Sequence, residues 1–117
     1  MKITTEKNKE RGSNISESRV KKLFISQPMK DKTEEEIKTE KAKIIKEVVD
    51  RFGQVEVIDS FIEAAPHDAK PLWFLGKSIE LLSTADIAYF ADGWKDYRGC
   101  KLEHECAVQY GIEIVAD

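Results

Sequence analysis

Both of the common glycine-rich phosphate cradles are missing from these 117 residues. Neither Gly-x-Gly-x-x-Gly nor Gly-x-x-x-x-Gly-Lys-Ser/Thr occurs, so neither a dinucleotide fingerprint nor a P-loop is supported. No apolar run approaches the roughly 20 residues of a membrane span, and no membrane partner is expected. The opening stretch MKITTEKNKERGSNISESR has no apolar centre and does not read as a signal peptide, so a cytoplasmic location is the expectation. There is no excess of positive charge. The net charge is −3, which leaves no electrostatic footprint for duplex nucleic acid. A small anionic ligand is still within reach of local basic residues. Cysteine is scarce: Cys100 and Cys106 match neither a CxxC redox pair nor a zinc knuckle, and they read as reduced, packed thiols. His67-Asp68 and His104-Glu105 supply no metal-ligand set, and no Ser-His-Asp or Cys-His order suits a hydrolase triad. No cofactor is implied.

What is there fits one soluble globular domain, with 41% hydrophobic and 35% charged residues. Residues 1–19 are polar and of mixed charge, and read as a mobile tail; the domain spans 20–117. Val20–Ser26 is a β-branched and aromatic strand that Gln27-Pro28 stops. Thr33 is an N-cap and Glu36 completes a capping box. The helix that follows runs to about Phe52, and Gly53 ends it. Val55–Ile58 is a second strand, and Asp59–Lys70 a long loop. Pro71 suits the first position of a helix over about Pro71–Ser83. Ile87–Ala91 is a third strand, about Arg98–Tyr110 a third helix, and Ile112–Val115 a fourth strand. This β-α-β-α-β-α-β alternation predicts a parallel sheet with helices on both faces. The expected fold is an α/β, flavodoxin-like or Rossmann-like three-layer sandwich with strand order 2-1-3-4. Ligands then bind outside the carboxyl ends of the strands, at the switch point between strands one and three. That brings together Ser26, Gln27, Pro28 and Met29, the loop from Asp92 to Arg98, and the start of the third helix.

The richest chemistry lies in Asp92–Ala107. Glu103 falls in the first turns of the third helix and can act as a nucleophile or a general base. Ala107, four residues on, stacks beside it and leaves room near the carboxylate, whereas Glu105 points about 200° away around the helix. Asp92 and Asp96 can hold a sugar hydroxyl or a base, or only shape the turn. Trp94, after Gly93, either stacks on a nucleobase or covers the edge of the core, and Tyr97 has the same two readings. Arg98 can clamp a phosphate or carboxylate, or make a surface ion pair. The Ser26–Met29 segment can receive a polar ligand or simply end a strand.

Phe24-Ile25-Ser26-Gln27-Pro28-Met29, Ala85–Phe90 and Gly99-Cys100-Lys101-Leu102-Glu103-His104-Glu105-Cys106-Ala107, followed by Tyr110–Ile114, together resemble the nucleoside 2-deoxyribosyltransferase-like family. That family usually carries an apolar strand with Ser/Ala-Gly-Pro-Phe/Met, and later a Gly-x-x-x-Glu-x-x-x-Ala segment. The likeness spans about residues 20–116 and is nearest to small, often phage-borne members with a Gly-Trp-x-x-x-Arg-Gly motif, here Gly93–Gly99. It implies cleavage or transfer of the N-glycosidic bond of a nucleoside or nucleoside 5′-monophosphate, with Glu103 as nucleophile. It also implies that Ser26–Met29 contact the nucleoside, that Asp92–Arg98 contact base, sugar or phosphate, and that the chain forms homo-oligomers. Asp92 and Asp96 are then the acids available to the leaving base. Three positions depart from the family pattern. Ser78 stands where many members have an Asp, Tyr97 stands where an Asp or Ser lies six residues before the nucleophile, and Gln27 replaces a Gly and narrows the pocket. A non-catalytic nucleotide-binding module or a protein-interaction module on the same fold is the alternative.

Overall fold

The computed structural model describes residues 20–59 and 65–116, with the side chain of Ala116 left aside. The expected tail and the middle of the long loop lie outside the described residues. The elements are β1 (Lys21–Ser26), α1 (Glu34–Phe52), β2 (Val55–Val57), α2 (Pro71–Leu82), β3 (Ile87–Phe90), a short 3-10 turn (Trp94–Asp96), α3 (Arg98–Gln109) and β4 (Glu113–Ala116). All pairings are parallel and the sheet order is β2-β1-β3-β4, as the alternation predicts.

Local chemistry accounts for the element ends. Thr33 Oγ1 accepts from Glu36 N–H at 3.0 Å, and Glu36 Oε1 accepts from Thr33 N–H at 2.9 Å, which closes the capping box of α1. Gly53 ends that helix with φ of +84°, a region glycine occupies without a Cβ penalty. Pro71 opens α2, where its missing N–H costs nothing.

Strand alternation sends neighbouring side chains to opposite faces of the sheet. Leu23 and Ile25 of β1, with Ile87 of β3, pack with Ile44 and Val48 of α1. Phe24 of β1, with Ala88 and Phe90 of β3, packs with Leu82 of α2 and Cys100 and Ala107 of α3. Each apolar layer is therefore built from alternate residues of the same two central strands. The second layer has a consequence for the site. Ser26, the last residue of β1, shares the face of Phe24 and so meets α3 at the carboxyl edge of the sheet.

Candidate functional site

On α3 the inward stripe is Cys100, Glu103 and Ala107, at spacings of three and four. Two of the three are small and join the apolar layer. The third is a carboxylate, only 8% exposed. Burying a charged group costs free energy unless a partner meets it. Ser26 is that partner: its Oγ donates to Glu103 Oε1 at 2.6 Å, and Ser26 is 2% exposed. Cys100 lies one helical turn before Glu103 and beside the same hydroxyl. Burial pushes the Cys100 thiol up; a hydrogen bond with Ser26 pulls it back, and the Glu103 charge raises it again. Both cysteines are free.

A cavity of about 340 Å³ opens on this pair. It is lined by the β1 end and its loop (Phe24 to Met29), by Ser78 of α2, and by Tyr97, Gly99, Cys100 and Glu103. The sequence separation of Ser26, Ser78 and Glu103 is large, yet parallel strand order brings their elements to one edge. The Gln27 side-chain amide is already engaged. Its Nε2 donates to the Ile37 carbonyl at 2.9 Å and to Glu40 Oε1 at 2.8 Å, and Lys32 Nζ meets the same carboxylate oxygen at 3.3 Å. Gln27 thus ties the loop to α1 while forming part of the cavity wall.

The remaining candidates lie elsewhere. Asp92 is exposed and borders a separate cavity of about 180 Å³ with Glu40, Lys43, Glu47 and Tyr89, on the α1 side of the sheet. Trp94, expected on the wall of the Glu103 cleft, is instead 9% exposed and packs in the α3-side core with Phe90. Of its two sequence readings, the core edge is the one the packing matches. The reason is local: Gly93, at φ of +88°, turns the chain after β3 so that the indole folds back under the 3-10 turn. Asp96 is exposed in that turn. Arg98 and Gly99 border a third cavity, of about 570 Å³, with Lys70, Pro71, Leu72, Leu75 and Leu102 between α2 and α3; Gly99 lines both this cavity and the Glu103 cavity. Ala107 is fully buried in the apolar layer rather than on the cavity wall. Phe24, Ile25 and Cys100 line the cavity without being evident as site residues from the sequence, and of these Cys100 carries chemistry. Its i, i+3 relation to Glu103 was the signal that could have found it.

Among the described residues no three His, Cys, Asp or Glu side chains converge as metal ligands, and no helix is long and apolar enough to cross a membrane. No protein-family model matches the chain, and no curated protein matches it.

Proposed function

We propose that this chain cleaves or transfers the N-glycosidic bond of a nucleoside or nucleoside 5′-monophosphate, with Glu103 as the nucleophile. The observation that carries this reading is a buried carboxylate, held by Ser26, facing a cavity at the carboxyl edge of a parallel sheet. A cavity of about 340 Å³ is within the range that small-molecule sites occupy, roughly 300–1,000 Å³. The residues quoted for the family resemblance point the same way.

In this reading a Glu103 oxygen forms a bond to the anomeric carbon as the carbon–nitrogen bond breaks. The base leaves with the electron pair and takes up a proton from solvent. Water, or the nitrogen of a second base, then attacks the anomeric carbon, gives its proton back to solvent, releases the carboxylate and completes hydrolysis or transfer with retention. Asp92 and Asp96 were the expected acids, but neither lines the Glu103 cavity. Ser78 and Tyr97 are the hydroxyl groups that do, besides Ser26, and they take over hydrogen bonding to the departing base. The assay is a panel of nucleosides and nucleotides followed by chromatography. Free base should appear with the wild type and be lost with Glu103→Gln.

The same missing carboxylic acid favours a second reading, a module that binds a nucleotide in this cavity without turning it over. Thermal stabilisation by a nucleotide with no released base would support it. In either case we place the protein in the cytoplasm and assembled with a second copy. The α2–α3 face is the surface that suits the contact, since Leu72 is 75% exposed there and Leu102 is also exposed.

A further inference from the structure

We propose that Ser26 is a positioning residue for Glu103 and not a contact to substrate, an inference that rests on the glycosidic reading of the cavity. Ser26 ends β1 on the face that carries Phe24, and this face packs on α3. Glu103 sits on the inward stripe of α3, at the depth of the β1 end. A serine hydroxyl has one proton to give. Here it is given to Glu103 Oε1 at 2.6 Å, in a place where both side chains are more than nine-tenths buried. The hydroxyl's other neighbour is Cys100, one helical turn before Glu103. Ser26 also borders the cavity, but with its one proton committed to Glu103 it has only acceptor lone pairs to offer a ligand.

The consequence is a carboxylate with unequal oxygens. Oε1 is held by a short, charge-assisted bond, and Oε2 is left to meet the anomeric carbon. A nucleophile fixed in one orientation needs no reorganisation as the bond forms. Because β1 and α3 are separate elements, this one bond also sets the distance between the loop wall and the nucleophile. Ser26 thereby affects the rate of the chemical step rather than the affinity for the substrate.

The experiment has a kinetic arm and a structural arm, on Ser26→Ala and Ser26→Thr in the full chain. In the kinetic arm, Ser26→Ala should lower kcat by about tenfold to a hundredfold with KM within about threefold of wild type, and Ser26→Thr should recover most of the loss. A raised KM with kcat retained would make Ser26 a substrate contact and overturn the proposal. So would a lowered unfolding midpoint with unchanged kcat, which marks a merely structural role. In the structural arm, crystal structures of wild type and Ser26→Ala should show the Glu103 carboxylate in one orientation in the first and turned or split in the second. An unmoved carboxylate overturns the proposal even if no substrate is ever turned over. Absence of turnover by the wild type, with Glu103 released in Ser26→Ala, sinks the glycosidic reading and leaves the positioning role standing. Should Ser26→Ala fail to fold, Ser26→Cys, close in volume and a poor donor, replaces it in both arms.

Discussion

The indole of Trp94 stacks on the imidazole of His104, with ring centroids 4.1 Å apart and planes 18° from parallel. Phe90 meets the same imidazole edge-on at 4.8 Å. The three rings join β3, the 3-10 turn and α3, and so hold the middle of α3 against the sheet. Trp94→Ala should therefore destabilise the fold by about 3–5 kcal/mol, the usual range for a buried aromatic. Trp73→Ala, at a half-buried site beside Phe74, should cost clearly less. Urea unfolding of both variants measures the difference. Equal costs would mean that Trp94 is not part of the core.

On the proposed glycosidic chemistry, Glu103→Ala should lose at least about a hundredfold in kcat/KM, because binding energy cannot replace a covalent nucleophile. Glu105 is exposed and accepts from Gln109 Nε2 at 2.8 Å, so Glu105→Ala should leave the rate nearly unchanged. Asp92→Asn should also leave it unchanged, since that carboxylate borders another cavity. Equal losses at 103 and 105 would indicate damage to α3 instead of lost chemistry.

Gln27→Gly removes two hydrogen bonds to α1. Each such bond contributes about 0.5–1.5 kcal/mol, and more to a charged acceptor, so a loss of about 1–3 kcal/mol is expected in chemical unfolding. The added glycine freedom in the unfolded chain acts in the same direction. A variant as stable as wild type would show that the loop is held by other contacts.

Tyr89 Oη donates to Glu47 Oε1 at 3.0 Å. Burial first, then the hydrogen bond and charge of Glu47 and the charges of Asp92 and Glu40, together push its pKa up to about 12. Folding therefore favours the protonated phenol. Its contribution to stability is complete below the ordinary tyrosine value of about 10 and is lost as pH rises through about 12. Wild type should lose stability over that window more steeply than Tyr89→Phe. Parallel curves for the two proteins would remove Tyr89 as the source.

Assembly through the α2–α3 face should give a mass above the monomer in light scattering at tens of micromolar. Leu72→Lys, at an exposed position on that face, should lower it without changing the unfolding midpoint of the dilute protein. A monomeric wild type would reject the assembly.

Much of the fold was legible because its signals are local. The Thr33-Glu36 capping box, Gly53 and Pro71 mark helix ends through bonds and dihedrals within a few residues. The short apolar runs at Leu23–Ile25 and Ile87–Phe90, bounded by turn signals, read as strands buried on both faces, and their alternation with helices points to parallel order. Helical spacing alone turns Glu103 and Glu105 apart. Other relations depend on which elements face each other, and no window of sequence contains that. Ser26 and Glu103 are 77 positions apart and meet because one strand parity faces α3. Asp92 and Trp94 are two residues apart, yet Gly93 sends the carboxylate to the α1 side and the indole into the α3-side core. Gln27 looked like a ligand group and is held by α1, because only the packed fold brings Ile37 and Glu40 within reach of its amide. Local dihedral preference and hydrophobic periodicity were enough to determine the elements and their order. The placement of carboxylates, amides and rings around the cavity was decided by tertiary packing, where burial makes each polar group take whichever partner the opposing element offers.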